Sequence, residues 1–168
     1  REKCGLFGVY NSEHVARDIY LGLYAQQHRG QESAGIITSS GHGQYHLKKG
    51  LGLVTNVFNE DNLNTLKGSF GIGHVRYSTA GSTDERDIQP LALTHRHQVV
   101  ALAHNGNLVN AAKLKEDLEA EGSLFTSTSD TESFLHRIMK SKAETIFEKV
   151  QEAAVGVEGA YSLLLLYG

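Results

Sequence analysis

Hydrophobic and polar positions follow two periods along this chain. Short apolar or glycine-spaced runs at Cys4 to Tyr10, Ala34 to Ser40, Ser69 to Val75, Leu91 to Thr94, Val99 to Ala103 and Ala160 to Tyr167 predict strands. Gly41-His-Gly43 reads as a turn, with Gln44 to Lys49 as its return strand, and His95-Arg-His97 as the tip of a second hairpin. Helical spacing takes over elsewhere. Val15, Ile19 and Leu23 recur behind an Asn11-Ser12 cap, in a helix expected to stop near Gly30. Leu114 and Leu118 lie between a capping Asn110 and a terminating Gly122. Phe134, Leu135, Ile138 and Met139 follow Ser129-Asp-Thr-Glu132, which reads as a capping box, and Ile146, Phe147, Val150 and Ala154 form a last apolar stripe. Residues 54–67 read as short helical turns.

The strands fall in antiparallel-looking pairs and the later helices cluster. That pattern predicts an α+β domain rather than a regular βαβ alternation. The 168 residues carry no internal repeat, low-complexity tract or linker, so one domain is expected. Two of the strands end in a histidine followed by polar residues, at His74 and at His104. Polar side chains gathered at strand ends are a common way to mount a site on a rigid scaffold.

Composition narrows the chemistry. A net charge of −3 gives no broad attraction to nucleic acid or to an anionic membrane. The longest apolar runs, Leu163 to Tyr167 among them, are far too short for a membrane-spanning helix. A single cysteine excludes an internal disulfide, a zinc–cysteine site and an iron–sulfur cluster held by this chain alone. Arg1-Glu2-Lys3 leads straight into a strand-like run with no secretory pattern. Nine histidines invite a metal reading, but no ligand spacing supports it; His95 and His97 share a face only if they lie on a strand, and two ligands do not make a site. No phosphate-cradling glycine loop occurs.

Four features carry candidate chemistry, each with a plain alternative. Cys4 is a small buried hydrophobe or a nucleophile. Near a chain start, a cysteine can use its own α-amine, whose reference pKa of about 7.7–8.0 suits a general base at neutral pH. Here Arg1-Glu2-Lys3 precede it and would have to be removed first. Arg76 is a solvated arginine or a bidentate carboxylate clamp. Asp130 is a helix-dipole partner or a carboxylate for an ammonium group. Asn105-Gly106 is a turn or the amide and backbone N–H of an oxyanion hole. Together they make a coherent set for an α-amino acid substrate, although spacing alone does not bring them together.

Five blocks give the chain a recognisable outline: Cys4-Gly-Leu-Phe-Gly8, Gln27-His-Arg-Gly-Gln-Glu-Ser-Ala-Gly35, Gly73-His-Val-Arg-Tyr-Ser-Thr-Ala-Gly81, His104-Asn-Gly-Asn107 and Ser129-Asp-Thr-Glu132. In this order they resemble the class II glutamine amidotransferases, which are N-terminal-nucleophile hydrolases, and within them the amidophosphoribosyltransferase branch. The resemblance implies a four-layer αββα sandwich, truncated at its C-terminus, with the nucleophile at the start of a central strand. It implies residues 1–3 as a propeptide remnant or untrimmed end, residues 4–168 as an incomplete glutaminase domain, and a phosphoribosyltransferase domain absent from this chain.

The resemblance also distributes roles. Cys4 matches the nucleophile, Asn105 and Gly106 the oxyanion hole, Arg76 with Thr79 the site for the glutamine α-carboxylate, and Asp130 the site for its α-ammonium. Gly106 also contacts substrate, and Arg29 has a supporting role. The implied reaction is glutamine hydrolysis through a cysteine thioester. Its ammonia goes to phosphoribosyl pyrophosphate, giving phosphoribosylamine in purine synthesis. The alternatives are another class II acceptor, or a non-catalytic amino-acid-binding fragment. No cofactor is implied in this chain; Mg2+ and, in some relatives, an iron–sulfur cluster belong to the full-length proteins. Glutamine is the implied partner here, with a cytoplasmic location, a homo-oligomer at full length, and neither nucleic acid nor membrane as a partner.

Overall fold

The computed structural model describes residues 4–77, 84–95 and 97–168. Seven strands form two antiparallel sheets among these residues. The first has the order β1-β4-β2-β3, built from β1 (Gly5–Tyr10), β2 (Ser33–Gly41), β3 (Gln44–Leu51) and β4 (Phe70–Arg76). The second has the order β5-β6-β7, built from β5 (Leu91–His95), β6 (Gln98–Leu108) and β7 (Gly159–Tyr167). Helices α1 (Val15–Ala25), α2 (Val54–Val57) and α3 (Glu60–Leu63) accompany the first sheet, and α4 (Ala111–Ala120), α5 (Thr131–Lys140) and α6 (Ile146–Ala154) the second.

Side-chain alternation explains the layers. Ile36 packs with Ile19, Leu23 and Val54 on the helical side of the first sheet, whereas its neighbour Ile37 packs with Ile72, Val99, Ala101 and Ala103 between the sheets. Val100 and Leu102 of β6 turn the other way, onto Phe134, Leu135 and Ile138 of α5. The result is helix, sheet, sheet, helix, with three apolar seams between four layers. The expected αββα sandwich is therefore present.

Several local expectations change. β6 does not end at His104: Asn105 and Gly106 continue the ladder, opposite Ser162 and Tyr161 of β7. An isolated Asn-Gly favours a turn, but here pairing with a partner strand more than fifty residues later keeps the chain extended. β4 likewise runs on past His74 to Arg76. Among the described residues β1, expected as a central strand, stands at the end of its sheet with β4 as its neighbour.

Asn110 stands at the N-cap of α4 without capping it; its amide instead joins Gly156 and Glu158. The Ser129–Glu132 capping box does not form. The Glu132 carboxylate accepts from the N–H and hydroxyl groups of Thr126 and Ser127. Ser129 Oγ accepts from the Thr131 N–H instead. The reciprocal box appears at α6, between Thr145 and Glu148. Phe147, expected in the apolar stripe of α6, is 71% exposed, and Ala153 is the buried residue of that helix.

Candidate active site

One cavity of about 370 Å³ opens where the ends of β4 and β6 meet the start of β1 and the N-terminus of α5. Cys4, Arg76, Gly106 and Asp130 all line it. Strand pairing brings the first two together: Gly5 stands opposite Val75, so Cys4 and Arg76 follow at the same end of the pair. Cys4 is half-buried, and Arg29 Nε donates to its carbonyl at 3.2 Å. Arg29 therefore touches the backbone of the candidate nucleophile.

Arg76 ends β4 with its Nε 3.8 Å from a Glu32 carboxylate oxygen. Backbone pairing also fixes the two, since the Glu32 N–H donates to the Arg76 carbonyl at 3.1 Å. The guanidinium is thus pre-oriented by one distant acid and keeps donors for a second carboxylate.

Asp130 is held at two points. The Leu108 N–H donates to Oδ2 at 3.2 Å, and His104 Nδ1 lies 3.3 Å from Oδ1. Burial pushes the carboxyl pKa up, but the His104 hydrogen bond and charge, with the Leu108 and Thr131 N–H groups, outweigh it and hold the pKa below the ordinary carboxylate value. The group is consequently an anion at neutral pH, in a cavity that also holds a cation.

Gly106 has φ +152, and a Cβ there would sit 2.3 Å from the Ala160 carbonyl. Only glycine lets β6 and β7 approach so closely at this position. Asn105 does not line the main cavity. It lines the adjoining hollow with Ala160, Tyr161 and Ser162, which shares Gly106 and Asn107 with the first. Its Oδ1 is buried without a hydrogen-bond partner among the described residues. Its place in the strand has the parity of Ala101 and Ala103, which face the first sheet. Thr79 lies outside the described residues.

Sequence reasoning missed several residues of this cavity. Asp87 is buried, and its carboxylate accepts from the Thr128 N–H at 2.7 Å and from the Thr128 hydroxyl at 2.6 Å. Gln89 Oε1 accepts from the His104 N–H at 2.6 Å. Gly35 makes that possible, because a Cβ there would lie 2.1 Å from the Gln89 carbonyl. Lys49 donates to the Ile88 carbonyl at 2.6 Å; burial lowers its pKa and the Asp87 charge partly restores it. The density of polar residues after Arg76 was the available signal, but it did not single out Asp87 or Gln89.

His74 is fully buried in the same wall. Desolvation brings its pKa down to about 3 despite the nearby His104 carbonyl, which favours the proton, and the Arg76 and His104 charges lower it further. The unfolded chain takes up this proton near pH 6.5 and the folded chain only near 3, so acid favours unfolding through this group. Lowering the pH from 7 to 5 should cost about 2 kcal/mol of stability through His74 alone. Denaturant titrations of the wild type and His74→Leu at both pH values check this; a pH slope equal in both proteins contradicts it.

Among the described residues, no group of three His, Cys, Asp or Glu is arranged to hold a metal ion, and no helix is long and apolar enough to cross a membrane.

Two facing antiparallel sheets between helical layers, with a cysteine at the head of β1 opening into a cavity at the strand ends, make this an N-terminal-nucleophile hydrolase fold. A family model described as a glutamine amidotransferase domain matches residues 74–166, more than half of the chain, and the chain belongs to that family. Among curated relatives it is 48% identical over 166 residues to the chloroplastic amidophosphoribosyltransferase 2 of Arabidopsis thaliana, covering 99% of this chain and 30% of the relative. It is 43% identical to the amidophosphoribosyltransferase of Bacillus subtilis, covering 98% of this chain and 35% of the relative. A solved structure described as the allosteric regulatory enzyme of purine biosynthesis superposes with a TM-score of 0.91 at 42% identity, over 96% of this chain and 35% of that one. The glutamine phosphoribosylpyrophosphate amidotransferase of B. subtilis, solved with ADP and GMP, gives 0.88 at 41% identity, over 96% and 34%. The chain thus spans about a third of the length of the proteins it matches.

Proposed function

We propose that this domain hydrolyses the side-chain amide of glutamine and that, in the protein it serves, the ammonia attacks phosphoribosyl pyrophosphate to give phosphoribosylamine. The observation that carries the reading is the shared cavity: a thiol, a cation, an anion and the Gly106 backbone around a volume suited to one small amino acid. Arg76 and, as the family resemblance implies, Thr79 take the α-carboxylate, and Asp130 takes the α-ammonium. The side-chain amide then extends toward Cys4.

The Cys4 thiol loses its proton to the α-amine of the same residue, once residues 1–3 are gone, and the sulfur attacks the amide carbon. A C–S bond forms, and the oxyanion is received by the Asn105 amide and the Gly106 N–H. Such donors contribute about 3–4 kcal/mol each in a water-poor site. The C–N bond breaks as the ammonium proton passes to the leaving nitrogen, releasing ammonia. Water then cleaves the thioester, giving glutamate and restoring the thiol.

The half-reaction uses no cofactor from this domain, and Mg2+ would accompany the pyrophosphate-bearing acceptor outside it. Homo-oligomerisation and a soluble compartment, the cytoplasm or, as in the plant relatives' names, a chloroplast, belong to the same proposal.

The test is ammonia and glutamate release from glutamine by the full-length protein, with and without phosphoribosyl pyrophosphate. Equimolar products, captured as phosphoribosylamine when the acceptor is present, are expected. Glutamine hydrolysis with transfer to some other acceptor would favour a different amidotransferase; no Cys4-dependent hydrolysis would overturn the reading.

A further inference from the structure

Resting on that reading, we infer that His104 is a positioning residue for glutamine binding: its ring Nδ1 holds the Asp130 carboxylate in the orientation that receives the α-ammonium, and the ring takes no proton from the reacting atoms. The His104 side chain is 2% exposed, so it has given up solvent to make this contact. Nδ1 lies 3.3 Å from Asp130 Oδ1 and 3.2 Å from Thr131 Oγ1, while the other carboxylate oxygen takes the Leu108 N–H. Two donors from one strand therefore fix both oxygens of a carboxylate on the neighbouring helix. Its side chain stays 24% exposed.

The holder is itself held. The His104 N–H donates to Gln89 Oε1 at 2.6 Å, its backbone is laddered opposite Leu163, and its ring meets Tyr161 edge-on at 6.4 Å, which in turn packs against Phe134. This support comes from three separate segments of chain. A carboxylate seated on such a frame is already oriented before substrate arrives.

The same geometry argues against a base role. His104 and Cys4 both border the cavity, but alternation along β6 turns the ring toward the helical face of the second sheet, with Leu102 and Leu108, where its Nδ1 is engaged by Asp130 and Thr131. The remaining ring nitrogen, Nε2, is buried and has no hydrogen-bond partner among the described residues. The ring is linked to Asp130 through Nδ1, and no relay leads from its other side.

The experiment compares glutamine with 4-carbamoylbutanoate, which is glutamine without its α-amino group, in the full-length protein carrying Cys4 as its first residue. His104→Ala should lower kcat/KM for glutamine about tenfold through KM, with kcat changed less than about twofold. The same variant should change kcat/KM for 4-carbamoylbutanoate less than about twofold, because no ammonium is there to be received. His104→Asn, whose amide reaches the Nδ1 position, should recover most of the loss on glutamine, and His104→Gln should not.

Equal losses on both substrates, a loss confined to kcat, or no loss on glutamine would each overturn the inference. Should His104→Ala fail to fold, the Asn and Gln variants decide it, and equal KM values for those two would overturn it. Absence of glutamine hydrolysis in the wild type would instead sink the functional reading beneath it.

Discussion

Replacing Cys4 with alanine will abolish glutamine hydrolysis and leave glutamine bound. Removing a nucleophile forces reaction through water alone, and losses on the order of a thousandfold to a millionfold follow when the attacking group of a covalent mechanism is deleted. Binding should change little, because the charged anchors proposed for the substrate, Arg76 and Asp130, stand elsewhere in the cavity. Ammonia release will therefore fall to background, while the glutamine dissociation constant measured by calorimetry stays within about threefold. A variant that still turns over glutamine would remove sulfur from the mechanism. The binding-only alternative predicts that the wild type has no turnover to lose.

Substituting Asp130 with asparagine will raise KM for glutamine by about 10- to 100-fold with a small effect on kcat. Asparagine keeps the size and can still accept from the Leu108 N–H, and its NH2 group can donate to His104 Nδ1 when the neutral ring carries its proton on the other nitrogen. What disappears is the negative charge that burial opposes and that His104, Leu108 and Thr131 together sustain. A hydrogen bond to a charged group is worth about 1.5–3 kcal/mol, which sets that range. The penalty should be specific to substrates that carry an α-ammonium. An unchanged KM would mean that Asp130 is there for α5 and the His104 contact alone.

How much of this was legible in the sequence differs from residue to residue. The α+β class was accessible because β2 and β4 carry apolar residues on both faces and α1 and α5 on one, patterns that periodicity reads directly, whereas the αββα layer order came from the family resemblance. The continuation of β6 past His104 was not accessible, since Asn-Gly taken locally is a turn and only pairing with the distant β7 overrides it. Glu132 illustrates the same competition. Three residues after a serine before an apolar run it has the spacing of a cap, yet two N–H groups and two hydroxyls from residues 126 and 127 offer its carboxylate more.

At the site, Cys4, Arg76 and Asp130 stood out by residue type, and their convergence came only with the fold. Asp87, Gln89 and Glu32 did not stand out, because their roles are contacts to Thr128, His104 and Arg76, each remote in sequence. Local patterning carries the scaffold; the support around a reactive group is tertiary and leaves almost no local trace.

The account rests on one chemical condition: the amine that serves Cys4 must be its own, exposed by removal of whatever precedes it, Arg1, Glu2 and Lys3 included. Intact-mass measurement of the species that hydrolyses glutamine tests this directly, with turnover followed as processing proceeds. The expected result is a chain beginning at Cys4, with activity rising in proportion to its fraction. A fully active species that still carries residues 1–3 would contradict the account.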